Sequence, residues 1–265
     1  MTTTVSDPST QLGNESIIVS HGVNKEFATK SGVVSVLHDV NFSIPRNSLT
    51  IIFGPSGSGK TTLMNVLSGL ERPTKGHIDI DGQDLYKLGS DQRAHFRAKA
   101  MGIVHQTNYW IKSLSVLENV AMPLYLSGST KDEAIKAAQG SLEQVGMNQY
   151  AHYMPTVLSG GQQQRVSMAR ALVAGTELIL ADEPTGNLDS KNGRMIIDLL
   201  LACKKDLKRT VVLVTHNIEF LPISDKQLYI KDGRVTESSR GESIPTDILE
   251  SLKAQVNELT KMERG

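Results

Sequence analysis

The sequence is poor in cysteine and in aromatic rings: one cysteine, one tryptophan, and 5% aromatic residues over 265 positions. A lone cysteine excludes a disulfide framework and any cysteine-rich metal site. Cys203 lies in "MIIDLLLACKKD", whose apolar spacing suits a packed helix, so a structural thiol is expected there. Charge of one sign is also missing, because Lys plus Arg number 28 and Asp plus Glu number 28. No global field draws such a chain onto nucleic acid or an acidic membrane surface, and any such partner needs a local patch. No apolar run approaches the roughly 18 residues of a membrane span, and "MTTTVSDPSTQLGNES" lacks the apolar centre of a secretory signal. A cytosolic chain is expected.

What is present is a hydrophobic content of 39%, enough to bury one compact domain or a domain with an appended lobe. Residues 1–15, rich in Ser, Thr, Asn and Asp, are expected to be a loose tail outside the fold. The segments "SIIVSHGV", "GVVSVLHDVNFSI" and "SLTIIF" alternate or are β-branched, which predicts antiparallel strands feeding a buried strand that ends at Phe53. "GHIDIDGQDLYKL" alternates too, with a tight turn at Asp81-Gly82. From about residue 91 to 157 the spacing turns helical in "SDQRAHFRAKA", "SLSVLENVAMPLYL" and "TKDEAIKAAQGSLEQVGM". Thr130 and Glu133 read as a capping box there, and the whole stretch as a helical lobe inserted into a sheet domain. Helix and strand then alternate: Gln162 to Val173, "ELILAD", about Lys191 to Lys204, "TVVLVTH". That order predicts a parallel α/β sheet, closed by a hairpin at Asp232-Gly233. Residues 237–265 read as a polar linker and an amphipathic helix with Leu249, Leu252, Val256 and Leu259 on one stripe. The stripe spans too few turns for a coiled coil, so packing on its own domain is the simpler reading.

Three stretches carry chemistry. In "FGPSGSGKTT", Gly54, Gly59, Lys60 and Thr61 satisfy G-x-x-x-x-G-K-[ST] between a buried strand and a helix. A loop of Gly54, Pro55, Ser56, Gly57, Ser58 and Gly59 lets backbone N–H groups converge on phosphate, and the helix opened by Lys60, Thr61 and Thr62 aims its positive end there. Lys60 adds a point charge and Thr61 a hydroxyl for Mg²⁺, which together read as a nucleoside triphosphate site. "LILADEP" brings Asp182 to the carboxyl end of a buried strand, where it can hold Mg²⁺ through water, with Glu183 beside it to orient or deprotonate the attacking water. Alone, such an acidic pair is more often a loop or a helix cap. "LSGGQQQR" gives Ser159, Gly160, Gly161 and Gln162 at a second anion-binding helix start. One triphosphate has no use for two cradles from one chain, which suggests that the second serves a nucleotide held by another copy.

In this company the sequence resembles the ATP-binding cassette (ABC) family, from about Ile17 to Val235. The family's elements stand in order: Walker A at Gly54 to Thr61, the Q-loop glutamine Gln106, the signature Leu158 to Gln162, Walker B ending at Asp182 with Glu183, the D-loop Asn187 to Asp189, and the switch histidine His216. The resemblance implies a P-loop NTPase fold with a parallel core sheet, an antiparallel β subdomain and an inserted helical subdomain. It implies ATP and Mg²⁺, with Thr61, Gln106 and Asp182 at the metal and Lys60, Gln106, Glu183 and His216 in catalysis. Phe27 stands where the family has an aromatic stacked on adenine. "ADEPTGNLD" with "VLENVAMPL" looks like the branch of lipoprotein-release (LolD-type), macrolide-exporter (MacB-type), peptide-antibiotic resistance and cell-division (FtsE-type) ATPases. The chain departs from that branch at His105, where Phe is usual, and in "TNYWIKSL", a segment that in the family faces the membrane partner.

The resemblance implies a peripheral subunit on the cytoplasmic side of the membrane, dimerising on ATP to drive separate transmembrane permease subunits. The same residues also serve a second reading, an ATPase that passes a mechanical signal to a cell-division or sensory membrane protein. A soluble DNA-repair or translation ATPase fits less well, since the lobe is neither duplicated nor replaced by long coiled coil and no nucleic-acid charge is present. A P-loop kinase leaves the signature and His216 unexplained.

Overall fold

A computed structural model describes residues 15–239. The polar start up to residue 14 and the amphipathic stretch with Leu249, Leu252, Val256 and Leu259 lie outside the described residues. Two strands open the fold, β1 (Ser16–Thr29) and β2 (Gly32–Pro45), paired antiparallel. β3 (Leu49–Phe53) leads into α1 (Lys60–Leu67), and β4 (Lys75–Ile80) turns into β5 (Gln83–Asp84). Then follow α2 (Ser90–Ala100), β6 (Met101–Val104), α3 (Val116–Leu126), α4 (Lys131–Gln144) and α5 (Gly160–Leu172). β7 (Leu178–Asp182), α6 (Ser190–Lys205), β8 (Thr210–Val214), β9 (Lys226–Lys231) and β10 (Arg234–Ser239) complete it.

The strands form two sheets, one of order β2-β1-β4-β5 and one of order β10-β9-β3-β8-β7-β6. In the larger sheet every pairing from β9 to β6 is parallel, and only β10 runs antiparallel, turned back at Asp232 and Gly233, both at positive φ. That pair of left-handed residues is the turn that Asp-Gly favours between strands. The α/β architecture expected from the alternation of elements is the one observed.

The larger sheet is the middle layer, and its strands show why they are apolar throughout. Along each one, alternate side chains enter opposite cores. Leu49, Ile51, Phe53, Ile179, Ala181, Val211 and Leu213 join one core with α3, α4, α5 and α6. Ile52, Leu178, Leu180, Val212 and Val214 join the other, with α1 and the antiparallel sheet. Cys203 is buried in the first core, and burial pushes its thiol up to about 11.

The segment read as a helical lobe needs one revision. Residues Met101–Val104 are not helical but form β6, which pairs in parallel with β7 at the end of the large sheet. Gly102 makes this possible, because a Cβ there would fall 2.0 Å from the carbonyl oxygen of Ala171 on α5. The start of α4 carries the predicted cap, and α3 carries one of the same kind that was not predicted. Thr130 Oγ1 and Glu133 close a reciprocal box at the start of α4, and Ser115 and Glu118 do the same for α3.

Candidate active site

Three parallel strands, β3, β8 and β7, end side by side, and the functional side chains follow their carboxyl ends. After β3 comes the glycine-rich loop. Gly54 has φ 152°, and a Cβ there would lie 2.0 Å from the carbonyl oxygen of Ile230, so the loop is laid directly against β9. Gly59, at φ 107°, is the N-cap of α1 and provides no side-chain cap, which leaves the first turn's N–H groups to a ligand. Lys60 Nζ donates to the carbonyls of Gly54 (2.9 Å) and Pro55 (2.7 Å), so its ammonium lies folded across the loop it belongs to. Burial lowers the Lys60 pKa, while the nearby charges of Glu183 and Asp182 oppose that shift. Ser56, Gly57 and Thr61 are exposed, Pro55 and Thr62 half-buried, and Ser58 Oγ is buried without a hydrogen-bond partner.

Asp182 ends β7. Burial raises its carboxyl pKa first, Glu183 adds to the rise, and Lys60 opposes it. Its Oδ1 is buried and makes no hydrogen bond. A carboxylate oxygen in that state is costly unless a cation meets it. Together with the Thr61 hydroxyl and the carboxamide of Gln106, the donor set is all oxygen, which fits a hard ion such as Mg²⁺.

Glu183 sits at φ 46°, a left-handed conformation rare for a residue with a Cβ. The fold holds it there: its N–H donates to the Val214 carbonyl at 3.0 Å, and its Oε2 lies 2.8 Å from His216 Nδ1. Glu183 is mostly covered, with 15% of its side chain exposed, while His216 is 62% exposed. A carboxylate is thus fixed by an imidazole that itself faces outward. Gln106 joins the group from the far side, its Nε2 lying 3.0 Å from where a Gly186 Cβ would be. Lys60, Asp182, Glu183, His216 and Gln106 are therefore brought to one end of the sheet.

The structure does not bring the "SGGQ" stretch into that group. Ser159 caps α5 in a reciprocal box with Gln162, and Ser159 and Gly160 are exposed. Gly161 is buried against α6, where a Cβ would fall 2.6 Å from Asn192 Oδ1, and Asn192 in turn is held by Asp189. Phe27 lies on β1 opposite Val34, half-buried, with Lys25 Nζ 4.6 Å from its ring centre. This hairpin reaches the glycine-rich loop through the Val36 carbonyl, 3.1 Å from the position of a Gly59 Cβ.

Sequence reasoning missed the groups that hold the segment after Gln106. Gln164 Nε2 donates to the His105 carbonyl (3.2 Å), Arg170 Nη2 to the Asn108 carbonyl (2.6 Å), and Trp110 Nε1 to Gln163 Oε1 (2.8 Å). The Arg170 guanidinium also lies 4.6 Å from the Trp110 ring centre, and burial lowers its pKa to about 10. All three polar partners come from α5. The signal was "QQQR" itself, a polar run on a helix whose position Gln164 is only 3% exposed. A buried glutamine must find partners, and it finds them in this loop.

The ABC transporter family matches residues 37–186. Two proteins named lipoprotein-releasing system ATP-binding protein LolD are similar to this chain. The one from Shewanella denitrificans is 37% identical over 222 residues, covering 84% of this chain and 95% of its own. The one from Pseudoalteromonas translucida is 40% identical over 223 residues, covering 84% and 96%. Among solved structures, the dimeric bacterial ABC transporter cassette MJ0796 superposes with a TM-score of 0.79 at 37% identity, covering 85% of this chain and 100% of that one. A dimeric post-hydrolysis state of the same cassette, bound to ADP and Pi, gives 0.79 at 36% identity with the same coverage.

Proposed function

Since this chain belongs to the ABC transporter family and is one of its ATP-hydrolysing cassettes, we propose that two copies close around two ATP molecules to drive a permease of the lipoprotein-release kind. The observation that supports this most is the meeting of Lys60, Asp182 and Glu183 at the ends of adjacent parallel strands, with Glu183 already held by His216. Phosphates lie on the amides from Gly54 to Gly59 and on the first turn of α1. Lys60 leaves the carbonyls of Gly54 and Pro55 for the outer phosphate oxygens, which are stronger acceptors for an ammonium than neutral carbonyls. Thr61, Asp182 and Gln106 hold Mg²⁺, which when bound supplies Lewis-acid charge to the phosphate oxygens. Glu183 accepts a proton from, or orients, the water that attacks the terminal phosphorus, and His216 keeps that carboxylate aimed while reaching the γ-phosphate. Phe27 lies against the adenine.

Ser159 and Gly160, exposed on their own copy, and the half-buried Gln162 complete the pocket of the partner copy. Bound triphosphate favours the closed pair because its charge is met from both sides only there, and hydrolysis removes that preference. The permease docks in the groove of about 700 Å³ between α2 and α3, next to the Gln106 loop. Its wall offers apolar side chains to a partner: Tyr109 is 71% exposed, Leu126 74% and Ile111 42%. The LolD names of the two relatives favour the lipoprotein-release kind of permease over the other kinds of its branch.

The test is Glu183→Gln with Mg-ATP. Turnover falls by on the order of 100-fold or more while ATP affinity is kept, because the carboxylate acts on the water and hardly on bound substrate. The variant accumulates as an ATP-bound pair on size-exclusion chromatography. Hydrolysis at the parent rate would remove Glu183 from this role.

A further inference from the structure

On the four-stranded sheet, two histidines and an aspartate that take no part in nucleotide chemistry converge on one point. His21 of β1 and His77 of β4 are directly opposite in the antiparallel register, and Asp79, two residues beyond His77, projects from the same face. The imidazoles are stacked, with centroids 4.4 Å apart and planes 14° from parallel. Nε2 of His21 lies 3.1 Å from Asp79 Oδ2, and Nε2 of His77 lies 3.8 Å from the same oxygen. One donor atom from each of the three side chains lies within 4.8 Å of the other two. We propose that His21, His77 and Asp79 form a binding site for a borderline divalent transition-metal ion, Zn²⁺ or a chemical neighbour, that bridges β1 and β4.

The donor spacing suits such an ion once the two stacked rings, whose lone pairs lie in nearly parallel planes, turn about their side-chain torsions toward a common centre. Zn²⁺ bonds imidazole nitrogen and carboxylate oxygen at about 2.0–2.2 Å, so neighbouring donors of a tetrahedral site lie about 3.3 Å apart. Two of the three separations, 3.1 and 3.8 Å, fall on either side of that spacing and the third lies within 4.8 Å; without an ion the shortest is a His21–Asp79 hydrogen bond. Two imidazoles with one carboxylate favour Zn²⁺, Cu²⁺, Ni²⁺ or Co²⁺ over Mg²⁺ and Ca²⁺, which prefer all-oxygen sets. Side-chain exposures of 44%, 42% and 29% leave the outer face open, so the fourth position goes to water and the ion exchanges freely.

The backbone beneath is set rather than soft. β1 is irregular between His21 and Asn24, where Gly22 takes φ 56°. That irregularity is pinned: the Gly22 N–H donates to Asn41 Oδ1 at 2.7 Å, and Asn24 Nδ2 donates to the Gly22 carbonyl at 2.8 Å. Gly76, at φ 79°, lets β4 come so close that a Cβ would lie 2.4 Å from the carbonyl oxygens of both His21 and Gly22. The two histidine backbones are thus held together by contacts that do not involve their rings. With the backbones set, only the side-chain torsions remain to be ordered when an ion arrives.

The experiment is calorimetric titration of tag-free, nucleotide-free protein with ZnCl₂, alongside His21→Ala, His77→Ala and the double variant. The parent should bind one Zn²⁺ saturably at micromolar concentration, and each single variant should lose affinity at least about tenfold. A hundredfold excess of Zn²⁺ over Kd should raise Tm by roughly 5 °C in the parent and not in the double variant. Because the side chains lie at the surface outside the nucleotide site, all three variants should keep basal ATPase activity in Mg-ATP, which confirms that they are folded. Failure of the parent to saturate below about 1 mM Zn²⁺, or double-variant binding as tight as the parent's, overturns the site. So does a Tm shift that survives in the double variant.

Discussion

Asp182 is under two opposed demands, one from folding and one from chemistry. Its carboxyl pKa is raised above the ordinary 3.8 chiefly by burial, and Lys60 offsets only part of that. A carboxyl whose folded pKa exceeds its unfolded one helps folding fully below the unfolded value, and that help is lost as pH rises through the folded value. At neutral pH the ionised group with an unpartnered Oδ1 is therefore a net cost to the ligand-free fold. Asp182→Asn should raise the Tm of the nucleotide-free protein at pH 7 by a few degrees, on the order of 1 kcal/mol. The gain should vanish toward pH 3 and be accompanied by loss of Mg-ATP hydrolysis. Thermal scans across pH decide this, and a lower Tm at neutral pH would show that the charge is stabilising. Glu183 makes the same point through its backbone, held at φ 46° by the Val214 carbonyl at a position where strain serves placement of a carboxylate.

The loop between Gln106 and α3 is held from α5, the helix that begins with the signature residues. A shift of α5 is therefore felt at His105, Asn108 and Trp110 through Gln164, Arg170 and Gln163. Trp110→Phe removes the indole N–H donated to Gln163 Oε1 and leaves in place the bond from Gln163 Nε2 to the Leu158 carbonyl beside the signature. It should lower permease-stimulated hydrolysis by up to about tenfold, the worth of one such hydrogen bond, with basal hydrolysis and ATP affinity near parent values. Equal loss of basal and stimulated rates would assign the pair to stability instead. This network was illegible in the sequence because its partners are about sixty residues apart and joined through backbone carbonyls, which leave no pattern. β6 was hidden for a related reason. It is four residues long, directly follows a helix and carries Gly102, so periodicity had nothing to act on. The strands that could be read, β3, β7 and β8, are those buried on both faces, where continuous apolar runs are required. The Asp232-Gly233 hairpin and the Thr130–Glu133 box were equally readable, since their chemistry is local.

One copy of the chain places the nucleotide loop beyond β3 and the exposed start of α5 in separate packing environments. α1 rests on β2, β7 and β8, whereas α5 rests on α3, α4, β6 and α6. With the proposed pocket drawing on two copies, ATP hydrolysis per subunit should rise with protein concentration before levelling off. Ser159→Arg, which fills the open end of α5, should reduce the plateau at least about tenfold. Activity strictly proportional to protein concentration, and undisturbed by that substitution, would mean that each copy works alone. The glycine-rich loop and acidic strand end could be read from the sequence because each is a contiguous pattern; the lining of the groove beside α3 could not, because it is assembled from α2, β6, α3, α5 and the loop around Gln106. Cys203, the only thiol of the chain, faces the core from α6, and burial pushes its pKa up to about 11. A maleimide dye will therefore ignore it in the folded protein, and a cysteine introduced beside Ser159 becomes a uniquely addressable reporter whose fluorescence can follow the two copies meeting in real time.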